Sequence, residues 1–172
     1  MNIIALIGQI IGLGAMAILC LSYQTGDRKK LLIMQTVGTG LFCVHYLLIG
    51  AVSALWLNVV CFCRNIVYYF KDRHPLIEKG APVLFAVIMA VMGVFSWENL
   101  FSLFIVVGLV INTLCLSFTD PQRIRYSLLV SSPLVLIYDF TALTWGGIIN
   151  ETLTVISALI GIIRFHKAKI DE

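Results

Sequence analysis

The sequence predicts an all-α membrane protein of seven transmembrane helices, arranged as two parallel three-helix repeats joined by a linker helix. Three observations lead there. The chain is 60% hydrophobic and only 12% charged, with a mean hydropathy of +0.98, which excludes an ordinary soluble domain. It divides into apolar runs at about 3–23, 31–50, 52–70, 81–97, 99–118, 124–140 and 143–165, each close to the ~20 helical residues that a hydrocarbon core requires. All 12 Lys and Arg residues then fall at one side of the membrane.

The elements follow in order. Span one starts after Met1-Asn2, which has no basic segment, so a cleaved leader is not expected. Gly8 and Gly12 form a small-xxx-small step there, with Gly14 nearby, the pattern of close helix packing. Arg28, Lys29 and Lys30 follow span one; Arg64 lies near the end of span three, and Lys71, Arg73 and Lys79 follow it. Span four opens at Gly80-Ala81-Pro82, a proline placed where a helix start tolerates it. Arg123 and Arg125 follow span five, while Arg164, Lys167 and Lys169 close span seven. The opposite connections carry only Glu98, Asp139 and Glu151 among charged residues. Basic loops stay in the cytoplasm, so the amino terminus is expected outside and the carboxyl terminus inside. The net charge of +3 is accounted for by these loops and calls for no nucleic acid.

An internal repeat underlies the spans. Leu19-Cys20-Leu21-Ser22-Tyr23 recurs as Leu114-Cys115-Leu116-Ser117-Phe118, an offset of 95. After the basic loop the offset becomes 92, pairing Tyr46 with Tyr138 and Asn58 with Asn150. An even number of spans separates the copies, so they are parallel repeats about an axis along the membrane normal. The expected units are 1–72, a linker over 73–98, and 99–172.

Val44-His45-Tyr46, Gly50 and Arg64 in the first half, with Ile137-Tyr138-Asp139-Phe140, Gly146-Gly147, Glu151 and Ile162-Ile163-Arg164-Phe165 in the second, resemble the YgjV-like family of bacterial inner-membrane proteins. More distantly, the arrangement is similar to the SWEET and PQ-loop transporters. The resemblance implies a bacterial inner (plasma) membrane location and a SWEET-like 3+1+3 bundle, with no established substrate. The proline-glutamine signature is degraded: Tyr23-Gln24 lacks the proline, and Pro121-Gln122 lies after the loop. Pro133 stands inside a span where its repeat equivalent is Leu41, so the paired proline hinges of sugar carriers are missing. Asn58 and Asn150 look like the pocket asparagines of the third SWEET helices.

Read from chemistry, Asn58 and Asn150 each offer two donors and an acceptor, suited either to a neutral polar solute or to interhelical bonding. Tyr46, Tyr138 and Trp56 supply flat faces for the same solute, or belong with Trp145 to an interfacial belt. Arg64 and Glu151 are candidates for gating or ion pairing; snorkelling and a helix-dipole role are their plainer readings. Gly40 and Pro133 are candidate weak points in their helices. His45 reads as a hydrogen-bonded core residue, and Gln9 and Gln35 as path-lining or helix-binding groups. The five cysteines fit neither a metal site nor a disulfide framework, because Cys61 and Cys63 point to nearly opposite helix faces. No phosphate loop, zinc pair or nucleophile elbow is present, so no enzyme, cofactor or metal is expected.

Two readings result. The first is a small transporter of a polar or vitamin-like metabolite working by alternating access. The second is a non-transporting membrane scaffold, interaction or sensory protein. Besides the bilayer and a solute, a second copy of the chain is the partner left open.

Overall fold

The computed structural model describes residues 3–71, 75–95, 97 and 100–170. Arg73, Glu98 and the expected unit boundaries at 72–73 and 98–99 lie outside the described residues, as do the side chains of Lys167 and Lys169. The elements are seven helices, α1 (Ile3–Ser22), α2 (Arg28–Ile49), α3 (Val52–Phe70), α4 (Pro75–Phe95), α5 (Ser102–Leu116), α6 (Pro121–Thr141) and α7 (Trp145–Ile170), with no strand among the described residues. Three stretches, Arg28–Ile49, Ile77–Phe95 and Trp145–His166, are long and apolar enough to cross a membrane by length and composition.

Capping residues move the helix starts away from the apolar boundaries. Asp27 and Asp120, both extended, accept from the backbone N–H groups of Lys29 and Gln122 at 2.8 Å. Each satisfies an orphan donor of the first turn, so α2 begins three residues before position 31 and α6 three before 124. Pro121 follows at a position where its missing N–H is harmless. Helix α4 likewise begins at Pro75, which leaves Pro82 inside the helix rather than at its start. Gly50, at φ +76°, ends α2 in the left-handed conformation that glycine adopts without strain. Asp27→Ala and Asp120→Ala are each expected to lower stability by about 1 kcal/mol, read as a drop in unfolding temperature in detergent.

Each helix packs on its neighbours in sequence, and α7 returns to α1, closing a ring; α4 leans on α5 more than on α3. Exposed large apolar side chains such as Ile10, Leu47, Val130 and Phe140 outnumber buried ones, while Gln35, Arg64, Asn65, Thr113, Arg125 and Asp139 are buried. Apolar outside and polar inside is what an acyl-chain solvent selects.

Several buried positions of α2 and α3 recur 93 residues on, in α6 and α7. In α2 and α6, Leu31 and Ile124, Leu32 and Arg125, Gln35 and Leu128, Gly38 and Ser131, and Thr39 and Ser132 are buried pairs 93 positions apart. In α3 and α7, Arg64 and Ser157, Asn65 and Ala158, and Tyr68 and Gly161 keep the same 93. The pairing expected at 92 differs from this burial spacing by one residue, about 100° of helix rotation. Asn58 corresponds to Glu151 and Tyr46 to Asp139. The identical letters at Tyr138 and Asn150 are out of phase with the buried face.

Tyr23, Leu31, Leu32, Tyr68, Phe85, Leu116, Ile124, Leu128 and Ala158 form an apolar core inside the ring, toward the end that carries the basic loops. Two arginines tie this basic end together. Arg28 on α2 donates through Nε to the Phe118 carbonyl beyond α5 and through Nη2 to Tyr68 on α3, at 2.9 and 3.0 Å. Arg125 on α6 donates through Nε to the Tyr23 carbonyl beyond α1 at 2.7 Å, and through Nη2 to Thr25. Each half thereby satisfies carbonyls left over at a helix end of the other.

Candidate functional site

Beside that core the ring encloses a cavity of about 460 Å³. Its described wall comes from α1, α2, α3, α5, α6 and α7, with nothing from α4. At one extreme stand Asp139, Gly146 and Gly147, where α6 turns into α7; at the other stand Tyr23, Leu128 and Arg64. We call the first the acidic end.

The cavity brings together Asn58, Asn150, Tyr46, Arg64 and Glu151 of the expected residues. Asn58 donates from Nδ2 to the Ala54 carbonyl one turn back at 3.0 Å, and Asn150 donates to Glu151 Oε1 at 3.3 Å. Tyr46 stacks on Phe42, with ring centroids 5.7 Å apart. Gln9, Gln35 and His45 also line the wall, and His45 Nδ1 lies 2.7 Å from the Gly8 carbonyl, the core hydrogen bond expected of it. A Cβ at Gly12 would come within 2.9 Å of that imidazole, so the glycine is what lets α1 approach α2 here.

Four expected residues stand elsewhere. Trp56 is 60% exposed, because two residues before Asn58 is about 200° around the helix. Tyr138 is turned about 100° from Asp139, which takes the wall position instead. Gly40 faces Phe62 of α3. Pro133 is exposed on the outside of a continuous α6; lacking an N–H, it leaves the Leu129 carbonyl without its helical donor.

Among the described residues Arg64 meets only neutral partners. It is buried, and donates to Thr113 Oγ1 at 2.9 Å and to Asn65 Oδ1 at 3.1 and 3.2 Å, tying α3 to α5 through neutral partners. Tyr68 reinforces the seam with a 3.0 Å bond to the Thr113 carbonyl. Asp139 accepts from Thr144 Oγ1 at 2.6 Å across the α6–α7 turn, where Leu143 takes a positive φ of 54°.

Sequence reading passed over Arg125, treating it as one more loop cation. It is 1% exposed, and its guanidinium lies 4.5 Å from the centre of the Phe165 ring. The available signal was spacing: Arg125, Leu128 and Ser132 fall on one helix face at steps of three and four. Thr113 and Asn65 carried no such signal, since their value lies wholly in meeting Arg64.

Inverted polarity, a closed helical ring and an interior cavity lined by both polar and apolar side chains define a multi-span helical membrane protein. The chain belongs to the Imp-YgjV family, described as bacterial inner membrane protein, whose family model matches residues 6–169. No curated protein and no solved structure matches the chain.

Proposed function

We infer that the protein is a small transporter, carrying a polar metabolite across the inner membrane by alternating access between two parallel three-helix units, α1–α3 and α5–α7, linked by α4. The observation that carries this is the cavity, which is walled by both units and, among the described residues, not by α4, and which contains Asn58 and Asn150. The buried positions of α2 and α3 that recur 93 residues on, in α6 and α7, support the two-unit division. With basic loops inside, the cavity extends from the acidic, outer end toward a packed cytoplasmic end. There the Arg28 and Arg125 clamps hold the units shut, and release of those bonds opens the path inward.

A non-transporting scaffold would more naturally fill its centre with apolar side chains, as the basic end does; an unfilled space with polar groups set among apolar ones favours a solute. The experiment is uptake of a metabolite panel into proteoliposomes. Asn58→Ala and Asn150→Ala are each expected to cut uptake by about tenfold, the effect of removing one or two solute hydrogen bonds, with unchanged unfolding temperatures. Full uptake by both variants would remove the asparagines from the path, and no uptake of any solute by the parent protein would sink the transport reading.

A further inference from the structure

At the acidic end of the cavity the atoms left without a partner are acceptors. Asp139 is 6% exposed; its Oδ1 receives Thr144, and its Oδ2 receives nothing. Asn150 has donated to Glu151, which leaves its own buried Oδ1 without a donor. Glu151 lines the same cavity and receives Asn150 and Ser132, and among the described residues Arg64 is the only Lys or Arg of that wall. Two carboxylates and an amide oxygen therefore face the same space, with that one arginine at its opposite end, in a setting where unpaired charge is expensive.

The backbone is shaped to allow this. A Cβ at Gly147 would lie 2.5–2.6 Å from the Asp139 carboxylate, so glycine is required for that acid to rest against the first turn of α7. The positive end of the α7 dipole favours a carboxylate there but supplies no hydrogen to Oδ2. Arg64, the cation of the opposite end, uses three of its five N–H groups on neutral partners and lines the same cavity. Positive charge is thus acceptable at one end of the space and repelled at the other.

We propose that the cavity binds a small organic molecule bearing one primary ammonium group, held by Asp139, Asn150 and Glu151, with its remaining part directed toward Arg64. An ammonium has three donors and one charge, matching three acceptor side chains. Arg64 disfavours a second cation at the far end, so a monoamine or an amino acid fits and an extended diamine does not. This rests on the reading of the cavity as a solute site, and it adds the chemical class of the solute.

The test is thermal unfolding of the full-length protein in nanodiscs with ethanolamine, γ-aminobutyrate, 1,4-diaminobutane, ethylene glycol, butyrate and NaCl at matched ionic strength. Ethanolamine or γ-aminobutyrate is expected to raise the unfolding temperature saturably, with the others far weaker. Asp139→Asn and Glu151→Gln, which keep shape and remove charge, are each expected to weaken that binding about tenfold or more. Their unliganded unfolding temperatures report whether the fold is intact. Should either variant unfold early, Asn150→Asp supplies the opposite check, since an added carboxylate is expected to tighten ammonium binding. An equal shift with NaCl, a shift with ethylene glycol that survives both variants, or no shift with any monoamine overturns the proposal. The transport reading is judged separately: ammonium binding without uptake removes transport and keeps the site, whereas uptake of a neutral solute without ammonium selectivity does the reverse.

Discussion

Replacing Arg125 with alanine is expected to destabilise the protein by about 3 kcal/mol, whereas the same change at Arg123, two residues away, is expected to alter stability by less than about 0.5 kcal/mol. The two arginines look alike in sequence, both following span five on the basic side. Arg123 is exposed. Arg125 is 1% exposed and binds the Tyr23 and Thr25 carbonyls, the Gln122 side chain and the face of Phe165. Truncation leaves two carbonyls at the end of α1 with no donor, each such loss being about 1–3 kcal/mol, and opens a void beneath Phe165. Arg125→Lys keeps the charge but lacks the fork that engages two carbonyls at once, so only part of the stability should return. Cys20, Cys43, Cys61 and Cys115 are all partly buried and Cys63 is exposed, so with Cys63 replaced by serine a thiol-reactive fluorophore reports the unfolding. Equal midpoints for Arg123→Ala and Arg125→Ala would show that the clamp contributes nothing.

Gly161→Val should be about as damaging, again by about 3 kcal/mol. A Cβ at this position would sit 2.6 Å from the Tyr23 carbonyl oxygen and 2.7 Å from Arg125 Nε. The first contact is backbone, so no rotamer relieves it; α7 must move away from α1, and the Arg125 bond to Tyr23 lengthens with it. Gly14→Val provides the contrast, because nothing lies within 4 Å of a Cβ there, and its effect should stay below about 1 kcal/mol. Measured by the same thiol assay, a Gly161 variant no weaker than the Gly14 variant would contradict the packing described here.

These two positions show where reading the chain succeeded and where it ran out. Hydropathy located all seven helices, because burying a backbone in acyl chains demands long apolar runs with their hydrogen bonds made internally. It placed the starts of α1 and α3 and missed those of the other five. Asp27 and Asp120 set helix beginnings through capping, which an apolar run does not register. Matching letters pair Tyr46 with Tyr138 and Asn58 with Asn150 at 92, whereas several buried positions of α2 and α3 recur at 93 in α6 and α7. One residue is about 100° on a helix, enough to exchange Asp139 for Tyr138 at the cavity wall. Asn58, Asn150, Tyr46, Arg64 and Glu151 were nameable as polar groups within apolar runs. Trp56 was nameable for the same reason and points outward.

Sequence alone therefore determined the class of protein and the order of its helices, because the membrane acts on each segment separately through length and polarity. Tertiary structure decided which polar groups meet. Arg125 on the Tyr23 carbonyl, Arg64 on Thr113, and Asp139 against Gly147 each join residues on different helices or across a turn, through contacts of about 3 Å. Such contacts depend on helix rotation and closest approach, which small residues such as Gly12, Gly147 and Gly161 permit but do not announce along the chain.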